Sequence, residues 1–144
     1  MRILPDLQAS ILCEDVRQEA SGNFILVGVV GVVRIPQLPI SAFKLCVFNR
    51  WTAGVGQFTE LVKLLGPDQK VMRQSSVKFA LQDSNHHATN VSVFTQVEFH
   101  LQGVHYIEVV VDDVMKLRYP LPLVVVPPPQ GQGAPPQVPT ETGS

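Results

Sequence analysis

The sequence predicts an all-β fold. Apolar and polar residues alternate with a period of two in most apolar segments, as expected for strands with one buried face. Turn-forming Gly, Pro, Asn and Asp residues separate these segments at a spacing of roughly 10 to 15 residues. No amphipathic helical pattern of about ten residues or more occurs. Together these observations favour an antiparallel, immunoglobulin-like β-sandwich of about seven to eight strands.

The first half of the chain reads as four strands. The first alternates from Leu7 towards Glu19 and ends at a Ser-Gly-Asn turn. The second is predicted as one strand from Phe24 to Ile35, apolar on both faces, which Pro36 ends because proline cannot donate to a strand ladder. Two further strands cover Phe43–Trp51 and Gln57–Leu65. In the third strand, one predicted face holds Phe43, Leu45, Val47, Asn49 and Trp51.

Two strands follow a strong turn signal. Gly66–Gln69 contains a proline that presets its own φ and an aspartate that bonds nearby backbone. The strand Val71–Leu81 comes next, then a predicted polar loop over Asp83–Asn90. Val91–Leu101 has the clearest alternation of the chain. The predicted inner face of this strand holds Val91, Val93, Thr95, Val97, Phe99 and Leu101.

The last two strands form a predicted hairpin. His105–Val111 is followed by Asp112-Asp113, which suits a tight turn because aspartate tolerates positive φ. Met115–Val126 contains Pro120 and Pro122. Two missing donors in one strand favour an edge position or a kink.

Composition changes at residue 127 and defines two regions. Residues 1–126 are predicted to form the sandwich domain. Residues 127–144, PPPQGQGAPPQVPTETGS, hold almost no apolar side chains to offset the entropy of ordering. This segment is therefore predicted to be a disordered proline-rich tail with polyproline-like stretches.

Charge and hydropathy argue against nucleic acid and membrane as partners. The 144 residues include 11 basic and 12 acidic side chains, and the basic ones are scattered singly. Nucleic-acid binding usually needs a basic face, so it is not expected. The longest apolar run, Phe24 to Val33, has ten residues, whereas a membrane helix needs about 20. Asp6 interrupts the first apolar segment, so no signal peptide is predicted, and a cytoplasmic protein is expected.

Neither a metal site nor a cofactor site is predicted. Cys13 and Cys46 lie in apolar strands, and buried, reduced thiols are expected there. The histidines lack the spacing of zinc ligands. Acidic residues in separate turns are a weak calcium pattern. The histidines and acids considered are His86, His87, His100, His105, Glu14, Asp15, Asp68, Asp83, Asp112 and Asp113.

No catalytic residues are predicted. Adjacent Glu14 and Asp15 would point to opposite faces of a strand, so they cannot readily act together. A nucleophile elbow and a glycine-rich phosphate loop are both missing from the sequence. Ser84 lies near Asp83 and His86 only within a polar loop. A non-enzyme is therefore expected.

Three segments resemble an uncharacterised bacterial family known only as a domain of unknown function. They are a cysteine-acid-acid-Val-Arg opening with a glycine turn (Cys13–Arg17, Gly22), an apolar strand with a proline exit (Leu26–Gly28, Pro36–Pro39) and a glycine hairpin (Gly103–His105, Asp112-Asp113). The resemblance spans Leu12 to Val125. It implies a β-sandwich with no known activity, and it supplies no catalytic residues.

The expected function follows from the second strand, which is predicted to be apolar on both faces. One face of each sheet in a lone sandwich normally meets water. A loop, the tail or another protein must therefore cover the second face, and an interaction or structural module that pairs with a protein partner or itself is expected. The alternative is a small-ligand or carbohydrate-binding sandwich in which Trp51, Phe94 and Tyr106 provide stacking faces.

Overall fold

Nine strands in two sheets make up residues 1–127, the part of the chain that this computed structural model describes. The strands are β1 (Asp6–Gln18), β2 (Phe24–Val29), β3 (Val33–Ile35), β4 (Ile40–Thr52), β5 (Gly56–Leu65), β6 (Val71–Leu81), β7 (His87–Phe99), β8 (Gly103–Val111) and β9 (Val114–Val125). One sheet has the order β2-β1-β4-β7 and the other β3-β9-β8-β5-β6. The predicted all-β, two-sheet architecture is confirmed, with more strands than the seven or eight expected.

The extra strand comes from the segment predicted as one strand over Phe24–Ile35. It divides into β2 and β3, which lie in different sheets, so that prediction was wrong. Gly28 adopts a φ of +68°, and residues 30–32 cross from one sheet to the other. β3 then runs parallel to β9, so the sandwich is not entirely antiparallel.

The core lies between the two sheets. Inward-facing side chains alternate along β5 and β8, as a period of two requires. The fully or nearly buried apolar residues include Leu12, Leu45, Val47, Trp51, Phe58, Val62, Leu64, Phe94, Val97, Phe99, Ile107, Val109, Leu121 and Leu123. β2 contributes no residue to this set.

The inner face of β7 changes along its length, contrary to the predicted single face. Val97 and Phe99 are buried as expected, but Val93 is 48% exposed and Phe94 is buried instead. Gln96 has a φ of +53°, which breaks the pleat and moves the inward positions by one residue. The paired strand β4 changes face at the same level, so Phe43 is 75% exposed rather than part of the inner face.

The predicted turns form, and one loop is shorter than expected. At the first turn the Gln69 N–H donates to the Gly66 carbonyl over 2.9 Å. Asp112 and Asp113 both have positive φ, as a two-residue hairpin of this kind requires. The loop predicted over residues 83–90 was too long, because β7 begins at His87.

The prolines of β9 lie where one flank of the strand is free. Pro120 pairs with Tyr106 on β8, and β3 joins the other flank only from Leu123 onwards. The edge prediction therefore holds for this part of β9. Apart from Pro127, the predicted tail lies outside the described residues.

Candidate functional site

A fork in the four-stranded sheet forms the main candidate site. β1 pairs with β4 only as far as Cys13, which lies opposite Cys46. Beyond this pair β1 leaves β4 and continues with β2, starting from Cys13 opposite Val29. As a result, residues 40–45 of β4 have no strand partner on that flank among residues 1–127.

An open groove of about 1040 Å³ fills the fork. Its walls come from β1, β2, the crossing segment after β2 and the start of β4. Three of its apolar lining residues are substantially exposed: Phe43 at 75%, Val29 at 65% and Val32 at 36%. Clustered exposed apolar side chains of this kind mark interaction surfaces in proteins.

An ion-pair triad spans the groove. The Lys44 ammonium donates to Asp15 Oδ1 over 2.6 Å, and Arg17 Nε donates to Asp15 Oδ2 over 3.2 Å. The hydrogen bond from Lys44, and then that from Arg17, lowers the pKa of Asp15. The same Asp15 contact raises the pKa of Lys44. Asp15 and Lys44 therefore stay charged near neutral pH, and their ion pair tethers β1 to β4 across the fork.

The two cysteines lie at the apex of the fork, beneath the β1–β2 hairpin. Both are buried and free, and desolvation raises the pKa of each thiol. The hairpin also contacts Phe48 through Phe24, with ring centroids 5.6 Å apart. Burial and high pKa make both thiols poor nucleophiles, and the burial predicted for them is confirmed.

A buried carboxyl group lies in the core, and the sequence analysis missed it. Glu60 is fully buried, and its Oε2 accepts hydrogen bonds from Trp51 Nε1 at 2.6 Å and Asn49 Nδ2 at 3.0 Å. Burial raises its pKa. Glu60 shares its strand face with Phe58 and Val62, and that pattern could have revealed a buried acid.

The Glu60 cluster lies within the buried core, with Glu60 and Asn49 fully buried and Ser92 nearly so. Within the described residues, Glu60 Oε1, Asn49 Oδ1, Asn90 Nδ2 and Ser92 Oγ make no hydrogen bond. Buried polar groups of this kind usually bind internal water. The hydrogen bonds from Asn49 and Trp51 to Glu60 link β4 to β5 across the core.

A second cavity of about 280 Å³ lies at one end of the sandwich, between the β5–β6 and β7–β8 turns. Its lining includes Met72, Leu101 and the buried His105, whose Nδ1 is 3.3 Å from the Gly103 carbonyl. Desolvation lowers the pKa of His105, so the ring is neutral at pH 7.

The aromatic stacking surface considered for a ligand does not form. Trp51 and Phe94 are buried in the core, so neither ring is available to a ligand. The Arg118 guanidinium stacks over the Tyr106 ring, 4.1 Å from the ring centroid, and so covers that ring.

The acidic residues and histidines that the sequence analysis considered as metal ligands are not gathered into one site. Asp83 caps its own loop by accepting from the Asn85 N–H over 2.8 Å, and His100 lies 3.4 Å from Glu98. Over residues 1–127, no three His, Cys, Asp or Glu side chains are placed to hold a metal ion. The same region contains no helix with the length and hydropathy needed to cross a membrane.

No curated protein matches the chain. One family model does match, over residues 8–124, and it describes a family of unknown function (DUF6941). The match begins in β1 and ends in β9, so it includes both sheets and the fork between β1 and β4. The chain therefore belongs to this family of unknown function.

Proposed function

We propose that the protein is a non-catalytic interaction module that binds an extended strand of a protein partner along β2 and the groove beside it. The observation that carries this proposal is the unused apolar strand β2. Its sequence, FILVGV, is entirely apolar, yet none of its residues belongs to the core. Phe24 packs against Phe48, but Ile25 and Val29 are exposed at 43% and 65%. Exposed apolar side chains in one strand are best explained by an external partner.

The free edge of β2 supports binding by strand addition. β2 is the last strand of its sheet, so one row of its backbone N–H and C=O groups has no strand partner among residues 1–127. Natural edge strands usually carry a charged residue such as lysine, or a proline, and either one prevents pairing with another strand. β2 carries none of these, which favours a bound strand at this edge.

The groove fixes the chemistry of that partner strand. Val29 of β2 lines the groove together with Phe43 and Val32, whereas the Lys44–Asp15–Arg17 triad is already internally paired. The partner segment is accordingly extended and apolar, with few charges. Main-chain hydrogen bonds would supply affinity, and the apolar side chains would supply specificity.

Quantitative affinity capture from the native cell tests this function. The tagged full chain is compared with Val29→Asp, which places a charge at the most exposed large side chain of β2. Val71→Asp is the matched control, because Val71 is also exposed (48%) but lies on β6. We expect specific partners, including an untagged second copy, to be lost with Val29→Asp and retained with Val71→Asp.

Capture alone does not identify the surface, so the captured complex is also examined by hydrogen exchange. Protection of the β2 amides in the complex supports strand addition. Equal capture by all three proteins, or protection confined to another strand, contradicts the proposal. Circular dichroism of each variant checks that the fold persists.

A small-ligand function is the second candidate, and the cavity beside His105 is where we propose it. The neutral ring and the apolar side chains of Met72 and Leu101 suit a small, mostly apolar ligand with one polar group. A ligand screen by thermal shift on the wild type and on Leu101→Trp, which would fill the cavity, tests this. A compound that raises the melting temperature of the wild type and of Leu101→Trp equally does not bind in this cavity.

We also propose an immunoglobulin-like topology for the sandwich. Without β2 and β3, the orders β1-β4-β7 and β9-β8-β5-β6 correspond to strands A-B-E and G-F-C of that fold, with the next strand added beside C. On this view β2 and β3 are insertions between A and B. An experimental structure in which β7 does not pair with β4 would contradict it. A cytoplasmic location likewise stays a prediction.

A further inference from the structure

We infer that Cys13 and Cys46 form a redox site, at which oxidation joins β1 to β4 by a disulfide at the apex of the fork. They are the only two cysteines among the 144 residues. In the antiparallel β1–β4 ladder the two residues lie directly opposite each other. The fold thus places side by side two thiols that are far apart in the sequence.

Both thiols lie on the outer face of the four-stranded sheet, beneath the β1–β2 hairpin. Leu12 precedes Cys13, and Leu45 and Val47 flank Cys46, and all three belong to the core between the sheets. Successive side chains of a strand point to opposite faces, so both cysteines point away from that core. Both are nevertheless fully buried. After burial itself, the nearby Cys46 thiol is the next cause that raises the pKa of Cys13.

The spacing of opposed strand residues suits a disulfide. Opposed residues of an antiparallel pair have Cα atoms about 4.5–5.5 Å apart, within the range of about 4.4–6.8 Å that disulfides span. Their Cβ atoms lie about 4.5–5.5 Å apart, so an approach of roughly 1 Å allows the bond to form. Cys13 and Cys46 are the last pair of their ladder, so β1 can make this approach without displacing a further pair.

The bond forms by exchange with a low-molecular-weight disulfide such as oxidised glutathione. One protein thiolate attacks a sulfur of the small disulfide, which gives a mixed disulfide and releases one small thiolate. The second protein thiolate attacks the protein sulfur of the mixed disulfide and displaces the other small thiolate. The two protein thiols lose two protons and two electrons, and the small disulfide gains them as two thiols. Because both cysteines are buried, the exchange proceeds when the hairpin opens or the chain unfolds.

The disulfide fixes β1 to β4 at the point where the two strands part. In the reduced protein, non-covalent contacts hold the hairpin over β4, among them the Lys44–Asp15 ion pair and the contact between the Phe24 and Phe48 rings. A covalent link at the base of the hairpin limits how far it can lift away. The redox potential of the surroundings therefore sets how readily the fork opens.

Refolding in a glutathione redox buffer tests the inference. The full chain is unfolded in urea with reduced and oxidised glutathione, refolded by dilution into the same buffer, and alkylated to block free thiols. Tryptic peptides 3–17 and 45–50 carry the two cysteines, and mass spectrometry should find them linked in a monomeric protein. Oxidation should raise the melting temperature by roughly 5–15 °C.

The redox equilibrium of the folded and the unfolded chain separates native geometry from chance pairing. A bond that stabilises the fold is itself stabilised by folding, so the ratio of oxidised to reduced glutathione needed for half oxidation should fall by about tenfold or more from urea to native buffer. Hydrogen exchange of residues 12–14 and 45–47 should slow in the oxidised protein. An equal ratio in both states, or unchanged exchange at the apex, overturns the inference.

Two variants control for the position of the thiols. Cys46→Ala/Val47→Cys moves the second thiol by one residue to the opposite face of β4, so folding should no longer favour the bond. Cys13→Ala should give no linked peptides, and its melting temperature should not respond to the oxidant. Circular dichroism checks that each variant folds. Glutathione adducts or linked chains in place of the internal bond, or equal linkage in the shifted variant, overturns the inference.

Discussion

Trp51 and Glu60 connect the two sheets through one short hydrogen bond. The Trp51 indole N–H on β4 donates to Glu60 Oε2 on β5 over 2.6 Å, and both side chains are fully buried. Asn49 donates to the same oxygen. Burial raises the pKa of Glu60 more than the hydrogen bonds from Trp51 and Asn49 lower it, so the core carries a pH-dependent element.

The pH dependence of stability should change when Glu60 is replaced. Its pKa in the folded protein lies above the ordinary value of 4.5, so the unfolded chain ionises first. The free energy of unfolding contributed by Glu60 is greatest below pH 4.5 and falls as pH rises through the folded-state pKa. Glu60→Gln removes this decline, so the variant should gain stability relative to the wild type between pH 4.5 and pH 8. Urea titrations at several pH values measure this, and a constant difference would contradict it.

Removing the carboxyl group altogether should be strongly destabilising. Glu60→Ala leaves Trp51 Nε1 and Asn49 Nδ2 without an acceptor and opens a cavity. The expected loss is about 2–4 kcal/mol at pH 7. Glu98→Ala on β7 is the control, because the Glu98 side chain is 68% exposed and surface changes have small effects. Similar losses for both variants would argue against the inter-sheet role of Glu60.

The two aspartates of the β8–β9 turn should respond in opposite directions to glycine. Both have positive φ, +46° for Asp112 and +68° for Asp113, which glycine adopts freely. Asp113→Gly should therefore raise the free energy of unfolding by about 0.5–1 kcal/mol. Asp112→Gly should lower it by about 1 kcal/mol, because Asp112 accepts from the Thr59 N–H over 2.9 Å and pairs with Arg2. Thermal unfolding ranks the variants, and the same sign for both would refute the assignment.

Gln96 should tolerate glycine better than a β-branched residue. Its φ of +53° is strained for any side chain, and most for one branched at Cβ. Gln96→Val should lose about 1–2 kcal/mol, whereas Gln96→Gly should stay within about 1 kcal/mol of the wild type. Glu98→Val, at an exposed position of the same strand, introduces the same β-branched side chain where φ is not positive, and is the control for β-branching itself. Equal stability of both Gln96 variants would mean that β7 does not change face there.

The two thiols should be protected from modification in the folded protein. Cys13 and Cys46 are both fully buried, and burial raises the pKa of each. A chromogenic disulfide reagent at pH 7.5 should react with neither until denaturant is added, when both should react. Rapid labelling of the native protein would show that the fork opens readily at its apex.

Sequence patterns predicted several elements well because they depend on neighbouring residues. The turns at Gly66–Gln69 and at Asp112-Asp113 follow from proline and aspartate chemistry, and the structure confirms both. The alternation in β5 and β8 likewise identified strands correctly.

Long-range pairing decided the rest of the candidate site. Apolar content alone could not show that the segment from Phe24 to Ile35 leaves one sheet and enters the other, because strands of both sheets look alike locally. The exposure of Phe43 depends on the change of face that Gln96 imposes in the neighbouring strand. The buried Glu60 depends on donors from β4, which only the packed sheets bring together.

The sequence by itself determined that this chain forms strands, where most of them turn, and that its thiols are buried, since each follows from the chemistry of adjacent residues. Only the tertiary structure decided that β1 parts from β4 at Cys13 and Cys46 and leaves β2 as a free apolar edge. The physical reason is that alternation specifies which side of a strand a residue occupies, whereas the strand on each flank is selected by contacts between distant segments.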